Sequence, residues 1–121
     1  MSTVLIVEDN PRNLKLVRDV LRHAGYETLE APDAEAGVAL ARERRPDLVL
    51  MDINLPGMTG VEALARLRAD ASTASIPVAA LTAYAMKDDR ARILAAGFDG
   101  YLEKPVDVRA LPARVQALLS P

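Results

Sequence analysis

The chain has no cysteine, one histidine and a formal net charge of only −2. Without thiols there are no disulfides, no thiolate metal sites and no thiol nucleophile. The slightly acidic balance gives no general attraction to polyanions, which argues against direct DNA binding. Long apolar runs are missing as well. The first, Val4 to Val7, is cut off by Glu8 and Asp9, too short and wrongly flanked for a signal peptide. Nothing approaches the roughly 18 apolar residues of a membrane span, so no membrane partner is expected and a cytoplasmic setting suits the composition. No glycine-rich fingerprint or P-loop follows the first apolar run. EDNPRN puts acids where a bound nucleotide phosphate would need backbone donors, which sets a nucleotide-binding fold aside.

What is present is enough for one core. With 121 residues, half of them hydrophobic, and no linker, repeat or low-complexity tract, the chain reads as a single domain over 1–121. TVLIV at 3–7 suits a strand buried on both faces, and Asp9, Asn10 and Pro11 stop it. A helix from about Arg12 carries Leu14, Val17, Leu21 and Ala24 at helical spacing and ends at Gly25. Residues 26–30 read as a second strand. Asp33 caps a helix through Arg44, in which Gly37 is a mild weakness. Residues 47–51 repeat the buried-strand pattern, and Thr59 caps a third helix with Val61, Leu64 and Leu67 as its stripe. The loop 70–75 leads to a fourth strand at 76–81. A helix over 86–96 stops before Gly97, and 100–102 form a short fifth strand. Leu111, Val115 and Leu118 anchor a last helix, where Pro112 must sit in the first turn or distort it. Strands alternating with helices, joined by right-handed crossovers, give an α/β, doubly wound, five-stranded parallel sheet with five helices on its two faces.

In such a sheet ligands gather outside the carboxyl ends of the strands. There the sequence places Glu8 and Asp9 after strand one, Asp52 at strand three, Thr82 at strand four and Lys104 after strand five. Three carboxylates in a small volume repel each other, and a divalent cation with oxygen preference relieves that cost. Magnesium is the natural candidate, with manganese as a substitute; the lack of histidine and cysteine at these positions disfavours zinc. An ammonium and a hydroxyl facing the acids make a place for a tetrahedral dianion, with Asp52 as the nucleophile that would become an aspartyl phosphate. Taken singly, each residue has a plainer reading: an acid in a turn, a threonine capping a helix, a solvated lysine. Their convergence carries the argument. His23 reads as a dipole contact or an exposed side chain at a helix end. The arginines at 42, 44, 45, 66, 68, 90 and 92 read as solvated helix faces, and Met51, Met58 and Met86 as packing.

VLIVEDN, LVLMDINLPGMTG, ALTAYA and YLEKP, in that order, resemble the response-regulator receiver domains (CheY-like) of two-component signalling, and the likeness covers essentially the whole chain. The intervals of 30 residues from Asp52 to Thr82 and 22 from Thr82 to Lys104 match the family pattern. VEDNPRNLKLV and LTAYAMKDD further resemble single-domain members of that family that act in the cell cycle. The resemblance implies the strand order 2-1-3-4-5. It implies that Asp52 accepts phosphate from a histidine kinase or histidine phosphotransferase, and that Glu8, Asp9 and the Asn54 carbonyl join Asp52 around magnesium. Lys104 would contact the phosphoryl group, its bond to Pro105 would be cis, and Thr82 with Tyr101 would form the switch. Ala83 would keep the approach open, while Asn54 and Tyr84 would tune dephosphorylation. Glu8 stands where aspartate is also common, which bears on metal affinity.

On that reading, phosphate at Asp52 draws the Thr82 hydroxyl inward, and Tyr101 enters the space released. The surface of the fourth helix, fifth strand and fifth helix would then change. With no DNA-binding segment after residue 121, output is expected through a downstream protein effector. Leu14 and Pro105 would form an apolar rim on which a histidine-bearing helix docks. Two rivals remain. A haloacid-dehalogenase-like phosphatase shares the aspartate, threonine, lysine and magnesium. It usually needs a second aspartate where this chain has Asn54, which cannot exchange a proton, and it needs room for a cap. The other rival is a receiver that binds partners without being phosphorylated.

Overall fold

The computed structural model describes residues 2–55, 57–83 and 87–119. The elements alternate along the chain: β1 (Thr3–Val7), α1 (Pro11–His23), β2 (Glu27–Ala31), α2 (Ala34–Arg44), β3 (Leu48–Asp52), α3 (Gly60–Ala69), β4 (Val78–Thr82), α4 (Lys87–Ala95), β5 (Gly100–Glu103) and α5 (Leu111–Leu119). All five strands are parallel, in the order β2-β1-β3-β4-β5. Both the doubly wound sheet and the expected strand order are therefore present. Tyr84 and the expected start of the fourth helix at Met86 lie outside the described residues.

The strand alternation sorts the core into two layers. Leu5, Val7, Val49, Met51, Val78 and Ala80 face the layer built with α2, α3 and α4. Val4, Ile6, Leu48, Leu50, Ala79 and Leu81 face the layer built with α1 and α5. Every residue of β3 and β4 is buried, as expected for central parallel strands covered on both sides.

Local chemistry explains where the boundaries differ from the sequence reading. Asn10 caps α1, its side chain accepting from the amides of Arg12 and Asn13, so the helix begins at Pro11, the position where a missing N–H costs nothing. Tyr26 closes α1 instead of opening β2: its N–H donates to the Leu21 carbonyl around Gly25, which has φ +98°. β3 extends one residue further than expected, so Asp52 pairs with Leu81 inside the ladder. β4 starts two residues later than expected, because Ile76 is tied by its N–H to the Thr73 carbonyl. Pro112 sits in the first turn of α5. The turn before it is held by Asp107, whose carboxylate accepts from the amides of Arg109 and Ala110.

Two expectations need correcting. Gly37 is no mere weakness in α2: a Cβ there would lie 2.7 Å from Val7 Cγ2, so the glycine lets α2 rest against β1. Arg68 is not a solvated arginine. Its guanidinium donates to the carbonyls of Ala74 and Ile76 and pairs with Asp99 at 2.7 Å, and Asp99 also accepts the Val78 amide. This brace fixes the lower ends of β4 and β5, and so the register with which Thr82 and Lys104 arrive at the upper end.

Candidate functional site

The strand order reverses between β1 and β3, since β1 leads outward to β2 while β3 begins the other half of the sheet. In sheets of this kind ligands bind above the carboxyl ends at such a point, and Glu8 and Asp52 stand there. The Glu8 amide donates to the Ala31 carbonyl at 3.1 Å, which sets its backbone just past β1. Asp52 is the last residue of β3. The two side chains are 1% and 3% exposed as residues, Thr82 at the end of β4 is 3% exposed, and Asp9 lies open to solvent.

Lys104 reaches in from beyond β5. Its backbone N–H donates to the Thr82 carbonyl at 2.8 Å, which carries the β4–β5 pairing one step past the strand. Its ammonium lies 2.7 Å from Asp52 Oδ2 and 2.9 and 3.1 Å from the two oxygens of Glu8. The Lys104–Pro105 peptide is cis, as the resemblance implied. Oδ1 of Asp52 accepts the Asn54 amide at 2.9 Å, so both oxygens of that carboxylate are held by donors. The buried acids therefore share one cation through charge-assisted bonds.

Burial pushes the Glu8 carboxyl above its ordinary value, and the neighbouring Asp52 adds to this, against the opposing pull of Lys104. For Lys104, burial alone would lower the value, but the bonds to Asp52 and Glu8 outweigh it and the net direction is upward. Glu8, Asp9 and Asp52 can each offer an oxygen such that all three lie within 4.8 Å of one another. That donor set is hard, anionic and all-oxygen, which fits magnesium and does not fit a soft metal.

Of the other expected residues, Ala83 and Asn54 are exposed. Tyr101 is half-buried against the layer of α2, α3 and α4, with the Arg90 guanidinium 5.4 Å from its ring centre. Arg90 also pairs with Glu103 at 3.0 Å, so it spans two residues on one face of β5. Leu14 is partly buried against the α1–α5 layer, and Pro105 is exposed.

Two residues of the site escaped the sequence reading. Gly60 opens α3, and a Cβ there would lie 2.6 Å from the Asp52 carbonyl oxygen and 2.9 Å from Ile53 Cα. The helix start thus lies directly against the backbone that presents the acid. Asn13 donates its side-chain amide to Glu8 Oε1 at 3.2 Å. The nearest available signal for Gly60 was its place right after the capping Thr59; nothing in the sequence alone marks Asn13.

Comparison with known proteins agrees with this geometry. The family model described as the response regulator receiver domain matches residues 4–116. The polar-differentiation response regulator DivK of Brucella anthropi is 47% identical over 107 residues, covering 88% of this chain and 87% of that protein. The receiver domain of a sensor histidine kinase from Pseudomonas aeruginosa PAO1, solved with magnesium in its active-site cleft, superposes with a TM-score of 0.90 at 35% identity, covering 99% of this chain and 98% of that one. The chemotaxis protein CheY4 of Vibrio cholerae gives a TM-score of 0.90 at 30% identity, covering 98% of each chain.

Proposed function

The chain belongs to the response regulator receiver family of two-component signalling, and from that premise we propose that Asp52 is its phosphoacceptor, with phosphohistidine as donor. The observation that carries this is the convergence of Lys104 on Asp52 and Glu8, from a strand two places away in the sheet. An oxygen of Asp52 attacks phosphorus in line. The new P–O bond forms as the P–N bond breaks, and the imidazole leaves with the electron pair. Asn54 holds Oδ1 through its amide, and the Lys104 ammonium at Oδ2 follows the charge onto the phosphoryl oxygens. Glu8, Asp9 and Asp52, joined by the Asn54 carbonyl, would hold magnesium or its substitute manganese. Bound there, the ion supplies positive charge for the phosphoryl oxygens. A chemistry of repeated ester turnover is disfavoured because Asn54 offers no proton donor where a phosphatase needs one.

Output follows from the same charge. A phosphoryl dianion on Asp52 gives the Thr82 hydroxyl a new acceptor, and Tyr101 turns toward the vacated space against the hold of Arg90, which is itself paired with Glu103. Coupling of this kind is typically about 1 to 3 kcal/mol. With magnesium and beryllium fluoride, NMR should show Tyr101 ring and α4–β5 shifts in the wild type. A Thr82→Ala variant should bind the fluoride yet leave the ring signals in place; equal ring shifts in both would exclude Thr82 from the switch.

The donor would dock on the rim made by Leu14 and Pro105, and the effector would be a protein that reads α4, β5 and α5. Transfer from a phosphorylated histidine phosphotransferase is expected to slow at least about tenfold in Leu14→Glu, while labelling by acetyl phosphate is unchanged. An unaltered transfer rate would remove Leu14 from the docking surface.

A further inference from the structure

We propose that Asn13 is a positioning residue for the metal site: its side-chain amide orients the Glu8 carboxylate toward a divalent cation shared with Asp9 and Asp52, and it can do so only because residue 8 carries the longer glutamate arm. This rests on the magnesium reading given above and adds to it a residue outside the acid, threonine and lysine set.

Both ends of the contact are anchored by backbone. Asn13 is the third residue of α1, and its amide N–H is held by the capping side chain of Asn10 at 3.3 Å. Glu8 is held by its own N–H on Ala31. In an ordinary capping box the side chain at this helix position returns to the backbone of the cap. Here it passes the cap and meets the side chain of Glu8, five residues back, at 3.2 Å.

The arrangement has a chemical consequence. Glu8 is almost wholly buried, and its other donor is Lys104, which is also bound to Asp52 at 2.7 Å. Any movement of Lys104 toward a phosphoryl group would leave the Glu8 carboxylate free to rotate if nothing else held it. The Asn13 amide keeps Oε1 in place independently of Lys104. Because it is neutral, it does so without adding a positive charge that would compete with the cation. Fixing a metal-directed carboxylate through a second hydrogen bond is a general means of setting affinity. An aspartate at position 8 would be shorter by one methylene and would draw the carboxylate away from Asn13.

The test is a magnesium titration of the metal-free protein followed by amide NMR, on wild type, Asn13→Ala, Glu8→Asp and the double variant. Asn13→Ala should weaken magnesium binding about three- to tenfold. Its unfolding midpoint without metal should fall by no more than about 5 °C, since Lys104 still holds Glu8, alanine favours helix and the Asn10 cap remains. In the Glu8→Asp background the same substitution should change affinity by less than about twofold. Unchanged affinity in Asn13→Ala, or equal losses in both backgrounds, would overturn the inference while leaving the magnesium site standing. Failure of the wild type to bind magnesium would overturn both.

Discussion

Replacing Lys104 with methionine is expected to destabilise the metal-free protein by about 3 kcal/mol, because it leaves two buried carboxylates without their shared cation. Methionine fills much of the same volume, so the loss is electrostatic and not a cavity effect. The pH dependence identifies the cause. In the wild type the folded-state value of Lys104 is raised, so its contribution is complete below the ordinary lysine value and disappears as pH rises through the raised one. That alkaline loss should vanish in the variant. Glu8 acts with the same sign but in the acid range. Its value is raised in the folded state, so the folded protein binds its proton more tightly, and stability falls as pH increases from the ordinary carboxyl value through the raised one. Removing Lys104 should enlarge that acid-side effect, making the variant more stable at mildly acidic than at neutral pH. Urea unfolding across pH measures both. Parallel wild-type and variant curves would show that the three groups are not coupled. Labelling by acetyl phosphate should slow at least about tenfold in the variant.

Gly60→Ala is the second large effect, with an expected cost of about 3 kcal/mol and loss of phosphorylation together. The added methyl group meets the Asp52 carbonyl oxygen and Ile53 Cα, which are backbone atoms of the strand end and cannot turn away as a side chain can. Relief requires α3 to separate from β3 or Asp52 to shift, and either change moves the acid relative to Lys104. Gly37→Ala provides the contrast. Its methyl group meets the side chain of Val7, so combining it with Val7→Ala should recover stability, whereas no side-chain truncation near Gly60 should do so. Urea midpoints of the four proteins decide this. A Gly60→Ala protein as stable as wild type would contradict the close approach of α3 to Asp52.

The contrast between these glycines shows what could be read from the chain alone. Asp52, Thr82 and Lys104 stood out because each interrupts or follows an apolar run, and the parallel alternation implied that all such ends share one rim. Asp52 falls inside the ladder and not after it, a one-residue difference that propensity cannot resolve because acids are common just past strands. Gly37 read as a weak helix position because helix propensity contains no information about Val7, which lies 30 residues earlier. Arg68 looked solvated for the same reason: its partners, Ala74, Ile76 and Asp99, are brought to it only by the fold. Asp107 is not marked by the sequence as the start of the α5 turn, because an aspartate shortly before a helix is ordinary turn composition. Local chemistry was legible where one segment determines it, and contacts between distant segments were not.

The proposed function reduces to one chemical event, the formation of an aspartyl phosphate at the end of β3. Intact-protein mass spectrometry after incubation with magnesium and acetyl phosphate measures it most directly. The wild type should gain the mass of one phosphoryl group, and Asp52→Asn should gain none. A phosphoryl adduct of equal yield on Asp52→Asn, or a wild-type protein that takes up no phosphate, would contradict the assignment of Asp52 as the acceptor.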